Sequence, residues 1–252
     1  MMSTRPPHSV RIAAWNIERR ARGPACDEYY DKAIRDLDAD VVVITEPGPH
    51  FTRRHPEAVM SPSARPDTGD DESWIAVLGS ELQPLHVDTI PYRRLAVAAS
   101  MDASGQQIAI YGSVLPWNAA RSQANDVYGE QPRHFKDVFD LAIQEQVQDV
   151  ERLQEEFGHL CVFWAGDFNH PLVGPLRGFS GHARARIDEA LQTLGMIALN
   201  RTSGHAKLGA FAIDLICGPP TLDYGTPEDS YPVANGKPLS NHRAYVVDVI
   251  LS

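Results

Sequence analysis

Residues 160–169 read LCVFWAGDFN. Six apolar residues run from Leu160 to Ala165 and then give way to Gly166, Asp167, Phe168 and Asn169. An unbroken apolar run predicts a strand buried on both faces. Period-two alternation would point Asp167 and Asn169 to the same side of its end. Strand ends are where a rigid scaffold presents side chains to a site. The question for the rest of the chain is therefore which other strands end on polar residues.

Upstream, Phe135, Val138, Phe139, Ala142, Ile143, Val147, Val150, Leu153 and Phe157 recur at steps of three and four. This predicts a long amphipathic helix over 132–157, ended by Gly158. Residues 95–101 and 107–115 read as a hairpin joined by Asp102-Ala103-Ser104-Gly105. Residues 73–78 form another short strand, and 40–46 (DVVVITE) a buried strand that ends on Glu46. A helical pattern covers 27–37, and the strand over 10–16 (VRIAAWN) ends on Asn16. Downstream come a helix near 183–194, a short strand over 196–199, and two strands over 210–217 (AFAIDLIC) and 244–250 (AYVVDVI). Asp214 sits inside the first of these, where a carboxylate among apolar neighbours needs a partner. His242 stands just before the second. Residues 47–72, 116–131 and 218–240 read as polar surface loops. There is no internal repeat and no break in composition, so one domain over 10–252 is predicted, after a loose or disordered tail over 1–9.

The composition is that of a folded protein: 252 residues, 43% apolar and 22% charged. The net charge of −10 and pI near 5.4 disfavour a protein that holds nucleic acid through a basic surface. They leave open an enzyme that meets phosphate through a metal ion. No apolar run approaches the roughly 20 residues of a membrane span, and the polar, proline-broken start carries no signal-peptide pattern. Cys26, Cys161 and Cys217 form no CxxC pair, which argues against a disulfide framework or zinc ribbon and for a reducing, cytoplasmic location.

The strand ends thus collect Glu46 and Asp167, acids suited to a hard cation, the amides Asn16 and Asn169, and an Asp214 that needs a partner His242 could be. Hydrolysis of a phosphate ester assisted by a metal needs such a set. Mg²⁺ takes oxygen ligands, usually one or two carboxylates, and a carboxylate-oriented histidine can activate water. No G-x-S-x-G nucleophile accompanies them.

The ordered blocks WNIE (15–18), DVVVITE (40–46), VLPW (114–117), GDFN (166–169), AID (212–214) and SNH (240–242) resemble the endonuclease/exonuclease/phosphatase superfamily over nearly the whole chain. The resemblance implies a DNase I-like fold, an α/β (α+β) four-layer sandwich of two packed mixed sheets flanked by helices. It implies a phosphodiesterase or nuclease that uses Mg²⁺, with Mn²⁺ as a substitute, on a phosphate ester, nucleic acid being one candidate. Glu46 would bind the metal with Asn16 beside it, and Glu18 is a further candidate ligand. Asp167 would position the attacking water, Asn169 would donate to the phosphorane oxygens, and His242 held by Asp214 would complete the set.

Two positions depart from the family pattern. Asn241 stands where many relatives carry Asp, which weakens a second metal site. Val114 stands where many nuclease relatives carry a Tyr or His that touches phosphate. Arg121, Arg133 and His134 are candidates to replace that contact. These departures keep open an alternative, a weakly active or non-catalytic member that binds a phosphorylated ligand or protein. The other nine histidines read as structural, Trp15, Trp74 and Trp164 as core, and Trp117 and Tyr128 as candidate substrate contacts. No membrane-inserting segment or protein partner is readable.

Overall fold

A computed structural model describes residues 8–19, 24–65, 70–87, 95–117, 134–206 and 209–251. Two mixed sheets carry the chain. In the first, β1 (Ser9–Asn16) pairs parallel with β2 (Val41–Thr45) and antiparallel with β17 (Ala244–Ile250). Beyond β2 lie β6 (Ile75–Gly79) and β3 (Val59–Met60); beyond β17 lie β13 (Asp223–Tyr224) and β14 (Glu228–Ser230). In the second, β10 (Val162–Asp167) lies between β9 (Gln106–Val114), parallel to it, and β12 (Asp214–Gly218), antiparallel. Next to β9 come β8 (Ala96–Ala103) and β7 (Gln83–Leu85), and β11 (Ile197–Ala198) flanks β12.

Alternation along β1 shows how the layers form. Ile12 and Ala14 join the core between the sheets, with Val41, Val43, Ile75 and Val77. Ala13 and Trp15 face outward and pack with Tyr30 and Ile34 of α1 (Pro24–Asp36), Leu37 just after it, and Phe51 of α2 (Pro49–Arg54). On the far side, α3 (Phe135–Phe157) lays Val138, Phe139, Ala142 and Val150 against the second sheet beside α4 (Gly181–Thr193). Gly158, at φ 88°, ends α3 as the sequence predicts. Gly112 lets the sheets approach tightly at this point, since a Cβ there would lie 3.0 Å from Ile75 Cγ2 and 3.1 Å from Val43 Cγ1. The result is the predicted four-layer sandwich, helices outside two mixed sheets. No helix among the described residues is long and apolar enough to cross a membrane.

Several expectations need correction. Residues 47–72 are not a bare loop: they hold α2, β3, and a two-stranded ribbon of β4 (Ser63–Arg65) and β5 (Asp70–Ser73). Residues 218–240 hold short strands, including the pair β15 (Val233–Ala234) and β16 (Lys237–Pro238). The strand over 210–217 begins only at Asp214, because the residues before it bond elsewhere, Ala212 N to Ser203 O and His205 N to Ala210 O, both 2.9 Å. Of the supposed tail, Ser9 opens β1 and the His8 carbonyl accepts Leu251 N at 2.9 Å; residues 1–7 lie outside the described residues.

Candidate active site

Backbone register brings the polar strand ends to one rim. Asn16 pairs with Thr45 in the β1–β2 ladder, next to Glu46, and Asp167 pairs with both Val114 and Asp214 in the second sheet. Because β12 runs antiparallel to β10, its first residue lies beside the last residue of β10. Asn16 links the two sheets: its Nδ2 donates to Asp167 Oδ2 at 2.8 Å and to Glu46 Oε1 at 3.3 Å. Its Oδ1 accepts the Glu18 N–H at 2.7 Å.

Tight backbone turns set these side chains. Glu18, Arg19, Glu46 and Asn169 all take positive φ, between 52° and 58°, where residues other than glycine are uncommon and mark functional sites. Gly166, at φ 140°, is required: a Cβ there would sit 2.0 Å from the Ser113 carbonyl oxygen. Asn169 leaves the strand and returns to it, its N–H donating to Asp167 Oδ1 and its Nδ2 to Leu115 O, both at 2.8 Å.

On the opposite side, His242 Nδ1 meets Asp214 Oδ2 at 2.6 Å, with both residues buried. Nδ1 is thereby committed, so Nε2 is the nitrogen that can meet a substrate. Glu18 Oε2 fixes the loop ahead of His242 by accepting Asn241 N at 2.7 Å and lying 3.2 Å from Ser240 Oγ. Ser240 Oγ also donates to Asn16 O at 2.7 Å and accepts His242 N at 3.1 Å. Glu18 therefore holds a loop that the sequence alone gave no reason to tie to it.

The electrostatics follow from crowding. Burial first, then the charges of Asp214 and Glu46, push the Asp167 carboxyl up to about 7, against the opposing pull of His242 and the Asn16 hydrogen bond. Burial opposes charge on His242, but Asp214, through its field and hydrogen bond, with Asp167 and Glu18, outweighs it and raises the imidazole to about 9. Four carboxyl groups, Glu18, Glu46, Asp167 and Asp214, thus share the rim with the His242 imidazole.

Other predicted positions fall apart from this set or outside view. Asn241 is half-buried with its Oδ1 taking no hydrogen bond among the described residues. Val114 is buried, its carbonyl accepting Gln146 Nε2 at 3.2 Å, and offers no polar group. His134 is exposed at the N-cap of α3 and makes no capping hydrogen bond. Arg121, Arg133 and Tyr128 lie outside the described residues. His170 is structural, as expected: its rings are Phe135, Phe139 and Phe179, and burial lowers it to about 4.

Three residues come to the rim without having been singled out. Arg19 lies over the Trp74 ring at 4.2 Å with Nε 3.8 Å from Glu46 Oε2, and Trp117 tilts against Trp74 at 6.1 Å. His205 is buried with its ring edge-on to His242 at 5.4 Å. Asn200 is fully buried and spans β12, Nδ2 to Asp214 O at 2.9 Å and Ile216 N to Oδ1 at 3.0 Å.

This sandwich, with its polar rim across both sheets, superposes on solved structures along nearly its full length. An endonuclease/exonuclease/phosphatase from Bacteroides vulgatus matches with a TM-score of 0.63 over 97% of this chain and 99% of its own, at 15% identity. The chain has the DNase I-like fold. The AP endonuclease LMAP from Leishmania major matches with a TM-score of 0.64 at 10% identity, covering 100% of this chain and 90% of its own. The catalytic domain of human Nocturnin, with a bound sulfate anion, matches with a TM-score of 0.61 at 16% identity over 98% and 99%. No protein-family model and no curated protein matches the sequence. In this DNase I-like frame, Asn16, Glu46, Asp167, Asn169, Asp214 and His242 share one rim.

Proposed function

We propose that this protein is a divalent-metal-dependent phosphohydrolase, a phosphodiesterase or nuclease in type, that hydrolyses a phosphate ester by in-line attack of water on phosphorus. One observation carries the reading. Asn16 joins Glu46 to Asp167, Asp167 faces Asp214, and Asp214 holds His242, so every group such a reaction needs lies in one continuous chain of contacts. The DNase I-like neighbours include proteins described as an AP endonuclease and an endonuclease/exonuclease/phosphatase.

The donors fit a hard cation. Glu46 keeps its side chain 27% exposed. Asp214 Oδ1 and Asn241 Oδ1 are buried without a hydrogen bond among the described residues. Glu46 would hold Mg²⁺ or Mn²⁺, with Asn16 beside it, while Glu18, occupied by Asn241 N, holds the loop rather than the ion. When bound, the ion neutralises charge on the phosphoryl oxygens.

The protein's own residues do the rest. Asp167, with its raised basicity, accepts the proton of the attacking water. Asn169 spends one amide proton on Leu115 O and offers the other to a phosphoryl oxygen. His242 is charged at neutral pH, so it acts as acid and charge stabiliser through Nε2, and Asp214 fixes its tautomer and orientation. The three free cysteines, two of them buried, fit a reducing compartment.

The test is a hydrolysis panel with Mg²⁺ or Mn²⁺ and EDTA controls. It offers abasic-site DNA, plasmid, single-stranded RNA, a generic phosphodiester and inositol phosphates. EDTA-sensitive cleavage of one member supports the reading and selects the substrate class. Metal binding without cleavage of any member refutes it and favours a phosphate-binding role.

A further inference from the structure

His205 is the one buried histidine at the rim that the proposed reaction leaves without a task. It does not sit there loosely. The turn that carries it is closed by His205 N to Ala210 O, by the bridge between Gly204 and Phe211, and by Tyr245 OH donating to Gly204 O at 2.9 Å. This fixes the imidazole against the His242 ring, with both residues and Asp214 buried. A ring nitrogen of each histidine and a carboxylate oxygen of Asp214 lie within 4.8 Å of one another. Asp214 uses Oδ2 for His242, while its buried Oδ1 takes no hydrogen bond among the described residues. An unsatisfied carboxylate oxygen beside two buried imidazoles is a donor set looking for a cation.

The chemistry of that set differs from that of Glu46. Two nitrogens and one oxygen suit a borderline-soft transition ion, whereas Mg²⁺ prefers oxygen throughout. A tetrahedral zinc ion sits about 2.0–2.2 Å from its ligands, which puts the ligand atoms roughly 3.3 Å apart. From within 4.8 Å the ligand atoms close by up to about 1.5 Å, the ion displaces the His242 proton because only the neutral imidazole ligates, and a water can take the fourth position.

We propose that His205, Asp214 and His242 form a second cation site, selective for Zn²⁺ or a similar transition ion over Mg²⁺, and that filling it inhibits the enzyme. The inhibitory part rests on the function proposed above, because an ion there occupies the Asp214–His242 pair that the reaction needs. The binding part stands by itself. Mg²⁺ at Glu46 and Zn²⁺ at His205 would act in opposite senses on one rim, making turnover responsive to free transition metal.

The experiment is a titration of EDTA-stripped protein with Co²⁺ in a large excess of Mg²⁺, read by visible absorption, which reports Co²⁺ in a nitrogen-containing, low-coordinate site whether or not any substrate is cleaved. Wild type, His205→Ala and His205→Gln are compared after circular dichroism shows that each is folded. The expected result is saturation of a visible band by one equivalent in wild type, with Zn²⁺ displacing Co²⁺. Either His205 variant weakens binding by about 10–100-fold or more. In hydrolysis assays both variants keep the Mg²⁺-dependent rate and lose sensitivity to Zn²⁺. No Co²⁺ band in excess Mg²⁺, or an affinity unchanged in both folded variants, overturns the site. Binding that needs His205 but leaves hydrolysis unaffected overturns the inhibitory role alone.

Discussion

Asp167 and Asp214 stand directly opposite each other in the β10–β12 register, both buried at the rim. Two carboxylates so placed cannot both carry full charge without nearby cations. Asp214 has His242 at 2.6 Å; among the described residues Asp167 has the amide of Asn16 and the N–H of Asn169, both at 2.8 Å, and no cation in contact. The unbalanced charge falls on Asp167, which makes it basic.

That imbalance has a cost in stability that pH exposes. A carboxyl whose pKa is raised in the folded state, from 3.8 to about 7, stabilises the fold fully below its unfolded pKa. The contribution is lost as pH rises toward and through about 7. In EDTA, wild-type Tm should therefore fall between about pH 5 and pH 8 by more than that of Asp167→Asn. The excess should be roughly 2–8 °C, corresponding to about 1–2 kcal/mol. Parallel melting curves check it, and equal slopes would show that Asp167 carries no such burden.

Glu18 is the residue for which geometry and family resemblance diverge most. Its Oε2 is occupied by Asn241 N and lies near Ser240 Oγ, so its work here is to hold the loop that presents His242. Glu18→Gln should lower kcat by about tenfold while leaving the Mg²⁺ concentration for half-maximal rate unchanged. A large rise in that Mg²⁺ requirement would instead make Glu18 a metal ligand.

Asn241 offers a buried oxygen with no hydrogen-bond partner among the described residues. Asn241→Asp adds charge at that point. The Mg²⁺ requirement should fall about threefold, the worth of roughly 0.7 kcal/mol of added attraction. An unchanged or increased requirement would show that the charge lies too far from the ion to matter.

The strand-end logic was legible because it depends on local pattern. LCVFWAGDFN and DVVVITE announce both a buried strand and the polar residue after it, and parallel or antiparallel pairing then does the assembling. The exceptions have physical causes. AFAI before Asp214 reads as strand because Ala212 and Ile213 are buried, yet Ala212 N bonds to Ser203 O and Ile213 O accepts Phe168 N rather than joining a ladder. Residues 47–72 hide α2 because PHFTRR is short and polar, and it is held instead by Phe51 in the core and by Arg54 against Asp27 and Asp31. His205 carries no local signal; its place depends on Tyr245, forty residues away in sequence. Arg19 directly follows the WNIE block, but its positive φ, its N–H on Glu46 O at 2.8 Å and the Trp74 ring bring it back beside Glu46.

Gly166 tests the scaffold apart from the chemistry. Its φ of 140° and the Ser113 carbonyl leave no room for a methyl group. Gly166→Ala should destabilise the protein by about 3 kcal/mol or more, read as a fall in the denaturation midpoint. A loss below about 1 kcal/mol would mean that the strand end can relax around the added carbon.

The central claim is that Asp167 activates water for attack on phosphorus in a metal-dependent reaction. The most direct measurement is turnover of a generic phosphodiester by wild type and Asp167→Asn, each with Mg²⁺ and with EDTA. Metal-dependent turnover in wild type, its loss in EDTA, and a fall of about 10²–10⁴-fold in the variant are expected. Turnover that survives EDTA, or a variant that keeps more than about a tenth of wild-type activity, would contradict it.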